Sequence, residues 1–333
     1  MKPLEGRIAV VAGATRGAGR GIARMLGEAG ATVYCTGRGT RETPSGGPHA
    51  GRPETIEETA ALVDEAGGVG IAARVDHAAP AEVAAFFDRV RSEQGRLDVL
   101  VNVLGGPEVQ ERAPLWESSL DEGRKLLDAW VWPHVVTCRH ALPLMIERRA
   151  GLVVEIVEGD TLGYSGQVFW DLVVTSLKRV AYAVAEEAAP HGVTALALAP
   201  GFMRTEHVLD YLKTTEEDWR TVARESKVAR QFGFAGSETP CFVGRAVAAL
   251  VADPEVRRFS GTVQSSWGLS DVYGFTDVNG ERPHWGSYFA ANFSHLAPPP
   301  ATGLLWQAAP PPPISVAADE LRAPAEAESP VAV

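Results

Sequence analysis

The residues best suited to chemistry stand near the start of the chain. Gly13-Ala14-Thr15-Arg16-Gly17-Ala18-Gly19 follows a short apolar run and opens a helical pattern. Glycines spaced in this way let the backbone turn tightly and approach a pyrophosphate. The helix N-terminus behind them offers free N–H groups and a positive dipole end. Gly13, Thr15, Arg16, Gly17, Ala18 and Gly19 are therefore expected to hold a dinucleotide, since the loop has the strand–turn–helix context that this use requires. A second strand ends in Tyr34-Cys35-Thr36-Gly37-Arg38. An acid at that strand end would hold the ribose 2′-hydroxyl of NAD, and this chain has none. It offers Arg38, with Arg16 in the glycine-rich loop, and two guanidiniums suit a 2′-phosphate, so NADP(H) is the expected cofactor. The plainer alternative is a pair of solvated surface arginines.

The elements that must position these residues follow from hydrophobic periodicity. Strand-like runs at Arg7–Ala12, Ala31–Thr36, Val69–Val75, Leu97–Asn102, Leu152–Val157 and Val193–Ala199 alternate with helical patterns. The helices are expected at Gly21–Ala29, Pro53–Glu65, Ala81–Glu93, Ser118–Arg149 and Val168–Ala189. A further helix is expected at Cys241–Val251 and a last strand at Thr262–Gln264. Strict alternation of this kind predicts an α/β fold, a Rossmann-type doubly wound parallel sheet with helices on both faces in a single domain. That domain is expected over residues 1–290, with 202–239 covering a substrate pocket. The segment 291–333 is rich in proline and alanine and is expected to be a disordered tail.

The chain has 333 residues, 45% of them apolar, enough to bury a large core. Its net charge of −11 argues against nucleic acid and anionic membrane as partners. No apolar run is long enough to span a bilayer. Met1 to Arg7 leads straight into a strand, with no signal-peptide pattern. The three cysteines and eight histidines show no ligand spacing, so no metal is expected, and reduced thiols in a cytoplasmic protein are the simplest reading.

At this point the sequence resembles the short-chain dehydrogenase/reductase family over residues 5–280. The Gly13–Gly19 loop is similar to the family's TGxxxGxG. Asp76, after the third strand, matches an adenine-contacting acid. Val101-Asn102-Val103-Leu104-Gly105 resembles NNAG, with Asn102 kept. Pro200-Gly201 with Thr205 matches a PG-x-x-x-T segment near the nicotinamide. Tyr273–Gly280 is similar to the branch containing dehydrogenase/reductase SDR family member one. The resemblance thus adds Asp76, Asn102, Pro200, Gly201 and Thr205 to the expected cofactor contacts.

The resemblance also implies an Asn–Ser–Tyr–Lys set, and those positions are replaced. Anchored on Ala189-Pro190-His191-Gly192, the Lys position falls on Val174, the Tyr position on Trp170, and the Ser position on Val157 with Glu158 beside it. The Asn position falls near Trp130, and no Tyr-x-x-x-Lys occurs anywhere in the chain. Lys178, one turn beyond Val174, and Tyr164 read more simply as a surface or interface lysine and a pocket wall.

What replaces the set has its own chemistry. Glu158 and Asp160 follow the fifth strand, at the sheet edge where α/β folds place ligands. Trp130, Trp132 and Trp170 occupy or flank the replaced positions, and carboxylates beside aromatic faces suit a cation. The alternative is that the carboxylates are solvated and the indoles fill space. Glu158, Asp160 and Trp170 are the candidate catalytic residues. An NADP(H)-dependent oxidoreductase acting on a small-molecule substrate, such as an iminium, is the leading expectation, and a homo-oligomer is expected from the family's pairing helices. A non-redox cyclase or isomerase and a catalytically silent nucleotide-binding partner stand beside it.

Overall fold

The structure is a computed structural model that describes residues 2–46, 50–105, 113–161 and 163–293. The proline- and alanine-rich segment from 294 onward lies outside the described residues. The chain runs β1 (Ile8–Ala12), α1 (Gly17–Glu28), β2 (Thr32–Gly37), α2 (Ile56–Glu65), β3 (Val69–Arg74), α3 (Pro80–Gln94) and β4 (Val99–Asn102). It continues α4 (Leu120–Arg148), β5 (Gly151–Ile156), α5 (Val168–Ala188) and β6 (Val193–Ala199). Three short helices follow, α6 (Glu206–Tyr211), α7 (Trp219–Glu225) and α8 (Lys227–Gln231). The last elements are α9 (Pro240–Ala252), β7 (Val263–Ser265), α10 (Ser266–Tyr273) and α11 (Trp285–Phe293).

The seven strands form one parallel sheet in the order β3-β2-β1-β4-β5-β6-β7. The doubly wound fold expected from the alternation is thus present. Successive residues of a strand point to opposite faces. Val11 of β1 joins Ile22, Leu26, Val243 and Val247 on the side of α1 and α9. Val10 joins Phe86, Leu100, Met145 and Val184 on the side of α3, α4 and α5. The strand order reverses between β1 and β4, and the crevice at such a reversal, beyond the strand C-termini, is where this architecture binds ligands.

Local chemistry sets several helix starts differently from the periodicity. Helix α1 begins at Gly17, inside the glycine-rich stretch, because the N-terminal turn itself carries the glycines. Helix α2 begins after Thr55 and not at Pro53. The Thr55 side chain accepts from Glu58 N while the Glu58 side chain accepts from Thr55 N, a reciprocal capping box. Helix α1 meets α9 so closely that a Cβ at Gly21 would lie 2.2 Å from the Pro240 carbonyl oxygen, and one at Gly244 would lie 2.7 Å from that of Gly21. Only glycine permits this approach.

The segment 202–239 is held from within by aromatic and cationic contacts. Trp219 and Phe234 are buried and pack edge to face at 5.8 Å. The buried guanidinium of Arg204 lies 4.0 Å from the Trp219 ring centroid and donates to the Ser237 carbonyl at 2.6 Å. No helix among the described residues is long and apolar enough to cross a membrane.

Candidate functional site

The glycine-rich turn lies at the C-terminal end of β1. Gly13 and Ala14 donate their N–H groups to the Thr36 carbonyl at 3.0 and 2.9 Å, which ties the turn to β2. Gly13 has φ +92°, and a Cβ there would fall 2.3 Å from the Val103 carbonyl oxygen. At Gly17, which has φ +55°, the nearest atoms of another element to the Cβ position, among the described residues, belong to the Thr205 side chain, 3.4 Å away. Thr15 and Ala18 are buried in the turn, and Gly19 closes back on the Gly13 carbonyl.

The two arginines expected near the ribose differ in their surroundings. Arg16 donates to Ser45 Oγ at 2.7 Å and lies 3.5 Å from Glu54. Burial pulls its guanidinium below the usual range, with Glu54 opposing the shift. Glu54 is also gripped by Arg52 at 2.6 and 3.0 Å, and Arg52 reaches Asp210 at 2.9 Å. Arg38 is exposed at the end of β2. Asp76 is half-buried after β3 and accepts from Ala78 N at 3.0 Å.

Asn102 is fully buried, and its side chain is committed to the interior. Its Nδ2 donates to Glu155 Oε1 at 2.8 Å. Any contact it makes with a cofactor therefore falls to its backbone. Glu155, also fully buried, accepts from Cys138 Sγ at 3.2 Å and pairs through Oε2 with His134 Nδ1. His134 Nε2 lies 2.9 Å from the Leu104 carbonyl, and a carbonyl only accepts, so Nε2 carries a proton. Burial, then Glu155, raise the Cys138 thiol well above its usual range, which keeps it a donor. Beside this group His77 bridges Thr36 Oγ1 at 2.7 Å and Thr137 Oγ1 at 2.9 Å. Burial lowers its pKa to about 3, so the ring is neutral.

On the opposite wall the end of β6 supplies Pro200 and Gly201. Gly201 N donates to Ser266 Oγ at 3.3 Å, and that hydroxyl donates to buried Glu238 at 2.7 Å. Desolvation pushes the Glu238 carboxyl up to about 8. Thr205 caps α6, its Oγ1 accepting from Val208 N at 3.3 Å.

The structure brings together part of the expected catalytic set. Trp170 Nε1 donates to Glu158 Oε2 at 3.0 Å. Trp130 meets Trp170 edge to face, with centroids 5.0 Å apart. Its ring also lies against Gly105, where a Cβ would come within 2.8 Å of it. Val157 and Val174 are both buried; Val157 belongs to the apolar cluster on which Trp170 packs, and Glu158 bonds to the Trp170 N–H. Glu158 and Asp160 are exposed. Lys178 is buried, donates to the Thr161 carbonyl at 2.5 Å, and is lowered by desolvation against the pull of Glu158, Asp160 and Asp171. Tyr164 is 62% exposed. An indole N–H donates a hydrogen bond but does not ionise, so this corner presents π faces and carboxylate without a proton donor in the Tyr position.

Comparison with known proteins gives a consistent picture. The sequence pattern that defines the short chain dehydrogenases matches residues 7–216. The chain is similar to human dehydrogenase/reductase SDR family member 1, at 32% identity over 286 residues, which covers 84% of this chain and 86% of the relative. A 3-oxoacyl-(acyl-carrier-protein) reductase of Vibrio harveyi is 31% identical over 260 residues, 78% of this chain and 94% of the relative. Among solved structures, a short chain dehydrogenase from Mycobacterium thermoresistibile superposes with a TM-score of 0.68 at 20% identity. It covers 85% of this chain and 92% of its own, a likeness of fold.

Proposed function

Because the chain belongs to the short-chain dehydrogenase/reductase family, whose members are nicotinamide-dependent oxidoreductases acting on small molecules, we propose that it is an NADP(H)-dependent reductase with a non-standard catalytic corner, serving a cationic acceptor such as an iminium. The observation that carries this reading is the Trp170–Glu158 hydrogen bond at 3.0 Å, between the residue read from the sequence at the Tyr position and the neighbour of the one read at the Ser position. The glycine-rich turn, with its helix N-terminus and no side chain at Gly13, Gly17 and Gly19, fits a dinucleotide diphosphate. Bound there, a reduced nicotinamide supplies a hydride.

Reducing a ketone makes an alkoxide, which needs an acid. Reducing an iminium makes a neutral amine, which does not. The acceptor must instead be held as a cation, and Glu158 with the faces of Trp170 and Trp130 suits that task at about 0.5–2 kcal/mol per aromatic contact. Asp160 adds a second exposed carboxylate on the same loop. Removing Trp170 by substitution to Leu should weaken a cyclic iminium analogue by about 0.5–2 kcal/mol. Glu158→Gln should weaken it about two- to fivefold, as suits an exposed ion pair, and Asp160→Asn by less. Titration in the presence of NADPH measures all three, and unchanged affinity in both the Trp170 and the Glu158 variant rejects the cation reading.

The NADP(H) preference rests on Arg38, exposed at the end of β2, with Arg16 supporting. NADPH should bind more tightly than NADH by calorimetry. Arg38→Ala should cost NADPH about tenfold or more, as for a charge-assisted bond, and leave NADH unaffected. Equal affinities in the wild type reject the preference. Exposed apolar residues Trp132, Val135 and Leu172 on α4 and α5 support a homo-oligomer. A cytoplasmic setting is kept with it.

A further inference from the structure

We propose that Glu206 belongs to the dinucleotide site: from the segment that covers the pocket, its carboxylate caps the N-terminus of α1 and opposes the pyrophosphate, and so sets nucleotide affinity. This rests on the nucleotide binding of the family and not on the preference for NADP(H) or for a cation.

Helix α1 lacks its own capping group. Its N-cap residue, Arg16, makes no side-chain capping bond, and its first turn holds no acid. The free N–H groups and positive end of such a helix call for an anion. Glu206, 189 positions away in sequence, supplies one: Gly17 N donates to Glu206 Oε2 at 2.9 Å. Its other oxygen lies 3.8 Å from Arg20 Nε on the next turn.

A second contact holds the same helix. Asp210, four residues on in α6, meets Arg52, which grips the Glu54 that approaches Arg16. Helix α6 thus rests on the phosphate-facing turn through Glu206 and on the arginines behind it through Asp210. Thr205 sets the position, its hydroxyl capping α6 and its methyl group facing Gly17.

A pyrophosphate at this turn meets the negative charge of Glu206 at close range. The nucleotide therefore binds against Glu206, and its arrival loosens α6 from α1. Removing the charge should tighten every dinucleotide alike, because the pyrophosphate is common to all of them.

The test is calorimetric titration of the full-length wild type, Glu206→Gln and Glu58→Gln with both NADPH and NADH, with hydrogen exchange of α6 measured in each free protein. Glu206→Gln should bind both nucleotides about five- to thirtyfold more tightly, the scale of a helix-terminus charge. The ratio between the two nucleotides should not change, and α6 should exchange faster. Glu58→Gln removes a carboxylate from Arg20, which it meets at 3.2 Å, without touching Gly17, and should change neither. Equal or weaker nucleotide binding by Glu206→Gln overturns the inference, as does an equal gain in Glu58→Gln. So does unaltered exchange of α6. A common gain with an NADPH-to-NADH ratio of one upholds Glu206 and rejects only the arginine-based preference.

Discussion

Supplied with NADPH and simple ketones, the protein should turn over about 10²–10⁴-fold more slowly than relatives with an intact Tyr and Lys, the usual cost of losing a positioned general acid. By the sequence anchoring, the Tyr position is proposed to fall on Trp170, whose N–H is already given to Glu158. The same anchoring places the Lys position on Val174, which is buried and has no ionisable group. Lys178 is no substitute, because its ammonium is bonded to the Thr161 carbonyl and buried. An absorbance assay of NADPH consumption over a ketone panel measures the deficit. The combined Trp170→Tyr, Val174→Lys and Val157→Ser variant should recover part of the rate, which separates a missing acid from a general fault in binding. Rapid ketone turnover by the wild type would show that another group delivers the proton.

The largest stability effect should come from the buried pair of His134 and Glu155. Both side chains are fully inaccessible, and the pair gathers bonds from Asn102, Cys138 and the Leu104 carbonyl. Removing one partner leaves an uncompensated buried charge or an orphaned donor. Glu155→Ala or His134→Ala should therefore cost about 3–5 kcal/mol, a fall in melting temperature of roughly 6–20 °C. Glu155→Gln should cost less, since its amide oxygen still accepts from Asn102 and its N–H₂ faces a ring nitrogen able to accept. Thermal unfolding decides the matter, and a loss below about 1 kcal/mol for Glu155→Ala would show that the pair is not bonded in this way.

The sheet was legible because β1, β4 and β6 are buried throughout and apolar but for Asn102 and Thr194, between helical periods. The glycine-rich turn was legible because its residues are contiguous. Glu206, Glu54 and Arg52 were not, since they reach the turn from distant loops and helices that no local pattern connects. Helices α6, α7 and α8 span six, seven and five residues, too short to show a period. Glu155 did leave a trace, a lone carboxylate in the apolar strand Gly-Leu-Val-Val-Glu-Ile, but a strand pattern does not say which partner satisfies it. Val157 and Glu158, just past β5, differ in burial: Val157 is buried with an apolar cluster, whereas Glu158 is exposed and bonds to Trp170, a difference that the apolar pattern of the strand does not extend far enough to specify.

The segment 202–239 begins and ends on one short length of helix. At its start Thr205 and Glu206 bear on Gly17, and just past its end Pro240 bears on Gly21, four residues further along α1. The second bearing is backbone against backbone and cannot slide without steric conflict, whereas the first is a hydrogen bond and a methyl contact. The two ends of the segment are also bonded to each other, Arg204 N and Glu238 N donating to the Glu238 and Phe202 carbonyls at 2.8 Å, so both ends register on the first turns of α1 as a single closed loop.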